Sequence, residues 1–216
     1  MTILALEFSS AQRSVALARD GRVLGDASET GGRGTQAFGL IERVLAAAKI
    51  GRAEIECLAI GLGPGSYTGI RVALAIAQGW QVATGVKLLG LSSVECVAAQ
   101  AQAEKLSGLV NVVVDAQRGE FYLAAYRMTA DGVSAVNPLK IVTANEAESR
   151  AAAGEIVTGP EITRWFPGGK IMFPQAKMLA ALAASRSDFT PGERLAPIYL
   201  RETNFVKAPP ARTMAA

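Results

Sequence analysis

The chain has 216 residues, half of them hydrophobic, a net charge of +3 and no histidine. That length supports one large domain or two small lobes with real cores. The mild charge, without a dense Lys/Arg patch, permits contact with nucleic acid but does not point to it. The missing imidazole excludes His-based dyads and triads, histidine-containing zinc sites and imidazole acid–base catalysis.

Residues 2–8 read as a buried strand without a basic leader, unlike a secretory signal. Ser9, Ser10 and Gln12 turn it back into a second strand at 14–18, and Asp20-Gly21 marks a hairpin turn into a third from Val23. Residues 30–34 form a glycine-rich connection. A helix is predicted over 35–49, with Phe38, Ile41, Val44, Leu45 and Ala48 at helical spacing. A strand at 55–60 then enters the stretch from Gly61 to Gly69. There Gly63 and Gly65 relieve a sharp turn, and Ser66 or Thr68 suits a helix N-cap. Two readings of this turn are open: a tight structural turn, or an anion cradle built from free backbone N–H groups. It is not a P-loop, because Gly69 is followed by Ile70 and Arg71.

The helix behind the turn, 68–84, carries only Arg71, Gln78 and Gln81 as strongly polar residues between Ile70 and Val82. A helix that is apolar nearly all round is buried, either by its own chain or beneath a second protein. A strand at 87–90 and a helix capped by Ser92 or Ser93 complete a β-β-β-α-β-α-β-α order, a mixed sheet with covering helices. No run reaches the roughly eighteen apolar residues of a membrane span. Cys57 and Cys96, isolated in a predicted strand and helix, read as reduced thiols, so a cytoplasmic location without membrane contact is expected.

Residues 109–114 begin a second copy of the opening. One strand ends at Glu7 and the other at Asp115, and the second returns through Tyr122-Leu123-Ala124-Ala125. Asp131-Gly132 mirrors Asp20-Gly21 as the next hairpin turn. A helix at 145–153, a strand at 155–158 and a turn at Gly159-Pro160 follow. Trp165, Phe166 and Phe173 are expected to anchor the segment around Gly168-Gly169, and Pro174 to open a helix over 174–186. The expected division is an N-terminal lobe at 1–104 and a C-terminal lobe at 105–208, whose helix 174–186 packs back on the first. A disordered tail is expected at 209–216, after Lys207 and Pro209.

Glu7 and Asp115 occupy equivalent positions at the ends of buried strands. Facing lobes would set them across one cleft, where carboxylates hold a hydrated metal or orient a nucleotide. The alternative is that each only accepts hydrogen bonds from its own hairpin. Ser9, Ser10, Arg118 and Glu120 belong to the same candidate cleft, and Arg13, Arg33, Arg71 and Arg201 are further anion candidates. Ser66, Tyr67 and Thr68 offer hydroxyls, but a serine nucleophile needs an activating base. No residue is therefore assigned a catalytic role, and no metal site is expected.

The stretch Gly63-Pro64-Gly65-Ser66-Tyr67-Thr68-Gly69-Ile70-Arg71 resembles the glycine-rich signature of the TsaB (YeaZ) family. The likeness continues through Ile3-Leu4-Ala5-Leu6-Glu7-Phe8-Ser9-Ser10, Leu91-Ser92-Ser93-Val94-Glu95, Asp115-Ala116-Gln117-Arg118-Gly119-Glu120 and Ala196-Pro197-Ile198-Tyr199-Leu200-Arg201. These blocks span almost the whole chain in order. The resemblance implies an α/β actin/Hsp70-like (ASKHA) fold of two related lobes. It also implies a non-catalytic subunit in synthesis of threonylcarbamoyladenosine at position 37 of ANN-decoding tRNAs. In that system a TsaD-like subunit carries the histidine-bound metal and performs the transfer, and a TsaE-like ATPase docks on the pair. Nucleotide is not expected to bind tightly to this chain alone; ATP and magnesium serve the wider complex, which also brings in tRNA. A homodimer is expected when the partner is absent.

The family places the subunit contact on the N-lobe helices. The implied interface is Thr68, Ile70, Arg71, Ala73, Leu74, Ala77, Trp80 and Gln81, with Phe38 and Glu42 alongside. Gly63, Gly65, Ser66 and Gly69 form the glycine-rich turn that launches the helix. Two departures stand out. Glu7-Phe8-Ser9 replaces the common Asp-Thr-Ser, which weakens a phosphate site, and Gly34-Thr35-Gln36-Ala37 lacks a histidine that many members carry. The alternative class is an independent ATP-dependent small-molecule kinase of the same fold, using Glu7 and Asp115 with magnesium.

Overall fold

A strand buried at every position has to be covered on both faces. Such a strand is β1 (Thr2–Glu7), which lies at the centre of the first sheet in the computed structural model; the structure describes residues 1–30 and 36–201. It pairs antiparallel with β2 (Gln12–Arg19), which pairs antiparallel with β3 (Arg22–Thr30). On its other side β1 runs parallel to β4 (Cys57–Gly61), and β4 parallel to β5 (Lys87–Leu91). The sheet order is β3-β2-β1-β4-β5. The parallel crossovers are supplied by α1 (Ala37–Ala48), between β3 and β4, and α2 (Tyr67–Thr84), between β4 and β5.

After α3 (Ser93–Ala103) the same plan recurs. β6 (Gly108–Asp115) pairs antiparallel with β7 (Glu120–Thr129), which pairs antiparallel with β8 (Gly132–Thr143). α4 (Ala144–Ala152) leads to β9 (Ile156–Gly159), parallel to β6, and β9 to the short β10 (Lys170–Ile171). The second sheet reads β10-β9-β6-β7-β8, the order of the first taken from the other end. The short repeat in the sequence is thus a repeat of whole lobes, and the fold is two-lobed, α/β and actin-like.

Two details differ from the sequence expectation. The first hairpin turns at Asp20-Gly21, both at positive φ as a type I′ turn requires. In the second, Thr129 pairs with Gly132, so the two-residue loop is Ala130-Asp131 and Gly132 already belongs to the strand. The segment after β9 is anchored by Trp165 and Phe166, whose rings pack edge-on against Phe121. Its third anchor is Met172, which is buried, whereas Phe173 is only half-buried. The crossover that is an 18-residue helix in the first lobe is a 3-residue 3-10 turn, Ile162–Arg164, in the second.

The helices after the fifth strands are exchanged between lobes. α3 places Val94, Val97, Ala98 and Ala101 in the core of the second sheet, among Val110, Val112 and Tyr122. α5 (Ala176–Ala184) places Ala176, Leu179, Ala180 and Ala183 on the first sheet, among Ala5, Ala16, Ala18 and Ala59. Alanine on both sides lets helix and sheet approach closely, and the Ala176 N–H donates to Ser14 Oγ at 2.9 Å. Filling that seam should be costly: Ala180→Leu is expected to destabilise by about 1–3 kcal/mol. The same change at the exposed Ala184 should be close to neutral. Urea unfolding of the two variants checks the contrast.

Candidate functional site

The glycine-rich turn is built by close approach to the β1–β2 hairpin. A Cβ on Gly65 would lie 2.0 Å from the Ser9 carbonyl oxygen, and one on Gly69 2.0 Å from that of Phe8. A Cβ on Gly63 would meet Ile70 Cδ1 at 2.6 Å. The N–H groups of the turn find acceptors within the chain. Ser66 N–H donates to the Ser9 carbonyl at 2.6 Å, Gly63 N–H to Ser93 Oγ at 3.1 Å, and Gly69 N–H to Ser66 Oγ at 3.3 Å. Ser66 is the N-cap of α2. Three of the turn's donors, on Gly63, Ser66 and Gly69, are thus engaged within the chain, which favours the structural reading of the turn.

Glu7 and Asp115 each accept an N–H from two residues further on, Ser9 at 2.8 Å and Gln117 at 2.7 Å. Their surroundings differ. Asp115 is exposed and lines a cleft of about 380 Å³ between the lobes, with Ser9, Ser10, Ser66, Thr68, Gln117 and Glu161. Glu7 is fully buried, so it does not face that cleft. Burial pushes its carboxyl above the ordinary glutamate range, opposed by hydrogen bonds from Ser9 and Ser93. Arg118 and Glu120 do not line the cleft either. Arg118 sits at positive φ in the exposed β6–β7 turn, and Glu120 accepts from Arg201 Nη2 at 2.6 Å. Arg201 also donates to the Ala116 carbonyl at 3.1 Å, so this anion candidate is engaged inside the chain.

The cleft therefore brings together Ser9, Ser10 and Asp115, but not Glu7, Arg118 or Glu120. Among the described residues its lining carries two carboxylates and no Lys or Arg, the wrong sign for a polyphosphate. Among the described residues no group of three Cys, Asp or Glu side chains is placed to hold a metal ion. Cys57 and Cys96 are buried free thiols; burial pushes Cys57 up to about 11 and raises Cys96 as well. Arg33, Lys207 and residues 209–216 lie outside the described residues, as do Gly34 and Thr35. Among the described residues no helix is long and apolar enough to cross a membrane.

The implied interface on α2 needs correction. Ile70, Ala73, Leu74 and Ala77 point inward and belong to the core of the first lobe, beside Leu4, Leu6 and Leu58. Gln81 is occupied too: its Oε1 accepts from Gly192 N–H at 2.8 Å and its Nε2 donates to the Val86 carbonyl at 3.2 Å. Gln78 donates to the Gly192 carbonyl at 2.8 Å, so the polar ribbon of the helix clasps a C-terminal loop. Glu42 pairs with Arg52. The Arg71 guanidinium lies 4.3 Å from the ring centroid of Tyr67, which stacks on Tyr199 at 5.7 Å.

What α2 presents outward is another stripe: Thr68, Arg71, Ala75, Gly79, Val82 and Ala83 exposed, along with Tyr67 and Thr84 at its ends, and Val72, Ile76 and Trp80 half-buried. Val82 is 90% exposed, and Phe38 on α1 is 64% exposed. Between the helices lies a largely apolar groove of about 600 Å³, lined by Ala37, Phe38, Gly39, Val72, Ala75 and Ile76, with Gln36 at the start of α1. Of the implied interface, Thr68, Arg71, Phe38 and Glu42 are exposed and Trp80 partly so. Val72, Ala75 and Ile76 were missed because a helix apolar on every side carries no periodic signal to tell inside from outside.

The fold and this groove define a two-lobed actin-like protein whose exposed apolar feature is a helix pair rather than a charged cleft. The family described as "TsaD: tRNA N6-adenosine threonylcarbamoyltransferase" matches residues 35–191. The TsaB protein of Escherichia coli (strain K12), named for tRNA threonylcarbamoyladenosine biosynthesis, is 28% identical over 93% of this chain and 95% of its own. The TsaB protein of Bacillus subtilis (strain 168) is 26% identical over 59% of this chain and 56% of its own. The solved structure of YeaZ from Pseudomonas aeruginosa superposes with a TM-score of 0.77 at 25% identity, covering 92% of this chain and 99% of that one. The chain belongs to this family, and its relatives within it are the TsaB (YeaZ) proteins.

The turn supplies its own test. Gly65→Ala, at φ +148° and against a backbone carbonyl, should destabilise by about 3 kcal/mol or more. Gly79→Ala, where a Cβ meets nothing within 4 Å, should stabilise by about 0.5–1 kcal/mol. Thermal and urea unfolding measure both.

Proposed function

We propose that this chain is the non-catalytic dimerisation and activation partner of a TsaD-like transferase in threonylcarbamoylation of adenosine 37 of ANN-decoding tRNAs. The groove between α1 and α2 carries this reading, because an exposed apolar patch on a folded domain marks an interaction site. The names of the TsaB relatives place them in biosynthesis of the same modified nucleoside. A stable protein interface buries roughly 1,000 Å² or more, and two neighbouring helices flanking an apolar channel supply much of that. Small residues at Ala75 and Gly79 permit close approach of a partner helix, and Phe38 offers an aromatic anchor.

In this reading the chain has no activity alone. A TsaE-like ATPase joins the pair, ATP and magnesium are used by the wider complex, and tRNA is met through it, in the cytoplasm. Without the partner, the same apolar surface favours a homodimer. The sealed position of Glu7 and the cation-free lining of the cleft run against the independent kinase.

The test is binding to the TsaD-like protein of the same organism, read by co-purification and calorimetry. Ala75→Arg and Phe38→Asp should each weaken the complex at least about thirtyfold, the loss of a central contact worth roughly 2 kcal/mol. Their circular dichroism and melting temperature should stay close to wild type, since neither side chain is in the core. Normal binding by both folded variants would remove the groove from the interface. Substitution of Ala73 or Ala77 does not serve, because either would disrupt the lobe's own core.

A further inference from the structure

Among the described residues, Glu7 is the only carboxylate in the fully buried set. We propose that Glu7 is a positioning residue: through Ser93 it fixes the glycine-rich turn, and with it the start of α2, against the helix that enters the second lobe. Only the last consequence of this proposal, its effect on the partner, rests on the function proposed above.

The geometry is a closed relay. Ser9 N–H donates to one carboxyl oxygen of Glu7 at 2.8 Å, and Ser93 Oγ donates to the other at 2.8 Å. The same Ser93 oxygen accepts from Gly63 N–H at 3.1 Å, while Ser93 N–H donates to the Gly63 carbonyl at 2.8 Å. One carboxyl thus joins the end of β1, the first glycine of the turn and the first turn of α3. Gly61 leaves the necessary space, since a Cβ there would lie 2.0 Å from Glu7 Oε2. Because α3 buries its apolar residues in the second lobe, the relay connects the partner-facing helix of one lobe to the core of the other.

The groups facing Glu7 are Ser9 on its hairpin, Gly61 at the end of β4, Gly63 in the turn, and Ser93 and Cys96 on α3. Cys96 is the ionisable one, and no cation is among them. The ionised carboxylate accepts both bonds as drawn. The neutral carboxyl must donate its own proton; the hydroxyls beside it are those of Ser9 and Ser93, and in this proposal Ser93 Oγ, 2.8 Å from a carboxyl oxygen, accepts it, so the serine hydrogen turns away. Protonation therefore rotates the hydroxyl that brackets Gly63.

Burial raises the folded-state affinity of Glu7 for its proton above the ordinary 4.5. The stabilisation tied to that proton is complete below 4.5 and is lost as pH rises through the raised folded value. Hydrogen exchange on the isolated full chain, corrected for intrinsic rates and followed from about pH 4 to about pH 9, reads this directly. Between the two values, wild-type protection of the Gly63, Ser66 and Gly69 amides should fall about tenfold per pH unit. Glu7→Gln should remove that slope. Ser93→Ala keeps the buried carboxyl but cuts its link, so the slope should survive in global unfolding and vanish from the turn.

Equal slopes in wild type and Glu7→Gln would overturn the proposal. If Glu7→Gln does not fold, a turn in Ser93→Ala that follows the wild-type slope overturns it instead. Affinity for the TsaD-like protein should weaken over the same window in wild type and stay level in Glu7→Gln. A turn that responds as expected in a chain that binds no such partner at any pH would sink the partner reading and leave the positioning role standing.

Discussion

The contact on which the rest of the molecule depends is the one between two pieces of backbone: the glycine-rich turn lying on the carbonyls of Phe8 and Ser9. With no side chain at Gly65 or Gly69, the turn comes within hydrogen-bonding reach of the first hairpin, and Ser66 N–H takes the Ser9 carbonyl. That bond fixes where α2 begins. It also engages one of the N–H groups that an anion at this turn would need. A glycine-rich strand–turn–helix element therefore does opposite work from its look-alikes, holding protein against protein where they hold phosphate.

The second constraint is the exchange of helices between the lobes. α3 leaves the first sheet to cover the second, and α5 returns from the second to cover the first. Neither sheet can be buried on both faces by the elements between its own strands. The Cys96 thiol donating to the Gln175 carbonyl at 3.3 Å, and the Ser14 hydroxyl accepting from the start of α5, tie the crossing together. Near it lies Glu7, whose charge reaches Cys96. The two lobes are joined here through buried contacts.

Much of this was legible from local signals. The all-apolar β1, the Asp20-Gly21 turn, the helix N-cap at Ser66 and the echo of Glu7 in Asp115 each rest on a residue whose chemistry admits few conformations. The lobe repeat followed from their order. What was not legible is telling. Ala130-Asp131 rather than Asp131-Gly132 makes the second turn, because register is set by pairing across the sheet and not by the turn residues alone. The inward fate of Ala73 and Ala77 was hidden because α2 is apolar or small on every side, so the helix offered no contrast between faces. The burial of Glu7 was hidden because its partner, Ser93, lies 86 residues away. Long-range polar pairing leaves no periodic trace.

The difference between the lobes bears most directly on function. Their sheets are alike, yet the crossover after the fourth strand is α2 in one and a single 3-10 turn in the other. The second lobe packs that turn with Phe121, Trp165 and Phe166 and needs nothing longer. In the first lobe, the inward face of α2 suffices to bury the sheet: Ile70, Ala73, Leu74 and Ala77 do so completely. The fold makes no demand on Ala75, Gly79, Val82 or Ala83, which face outward; Arg71 supplies the one charge on α2, where an ordinary surface helix would carry several. Apolar side chains kept where the fold does not use them, flanking a groove that Phe38 extends onto the neighbouring helix, fit a face completed by a second polypeptide. The elongated crossover is what makes such a face possible, and among the described residues it occurs on one lobe.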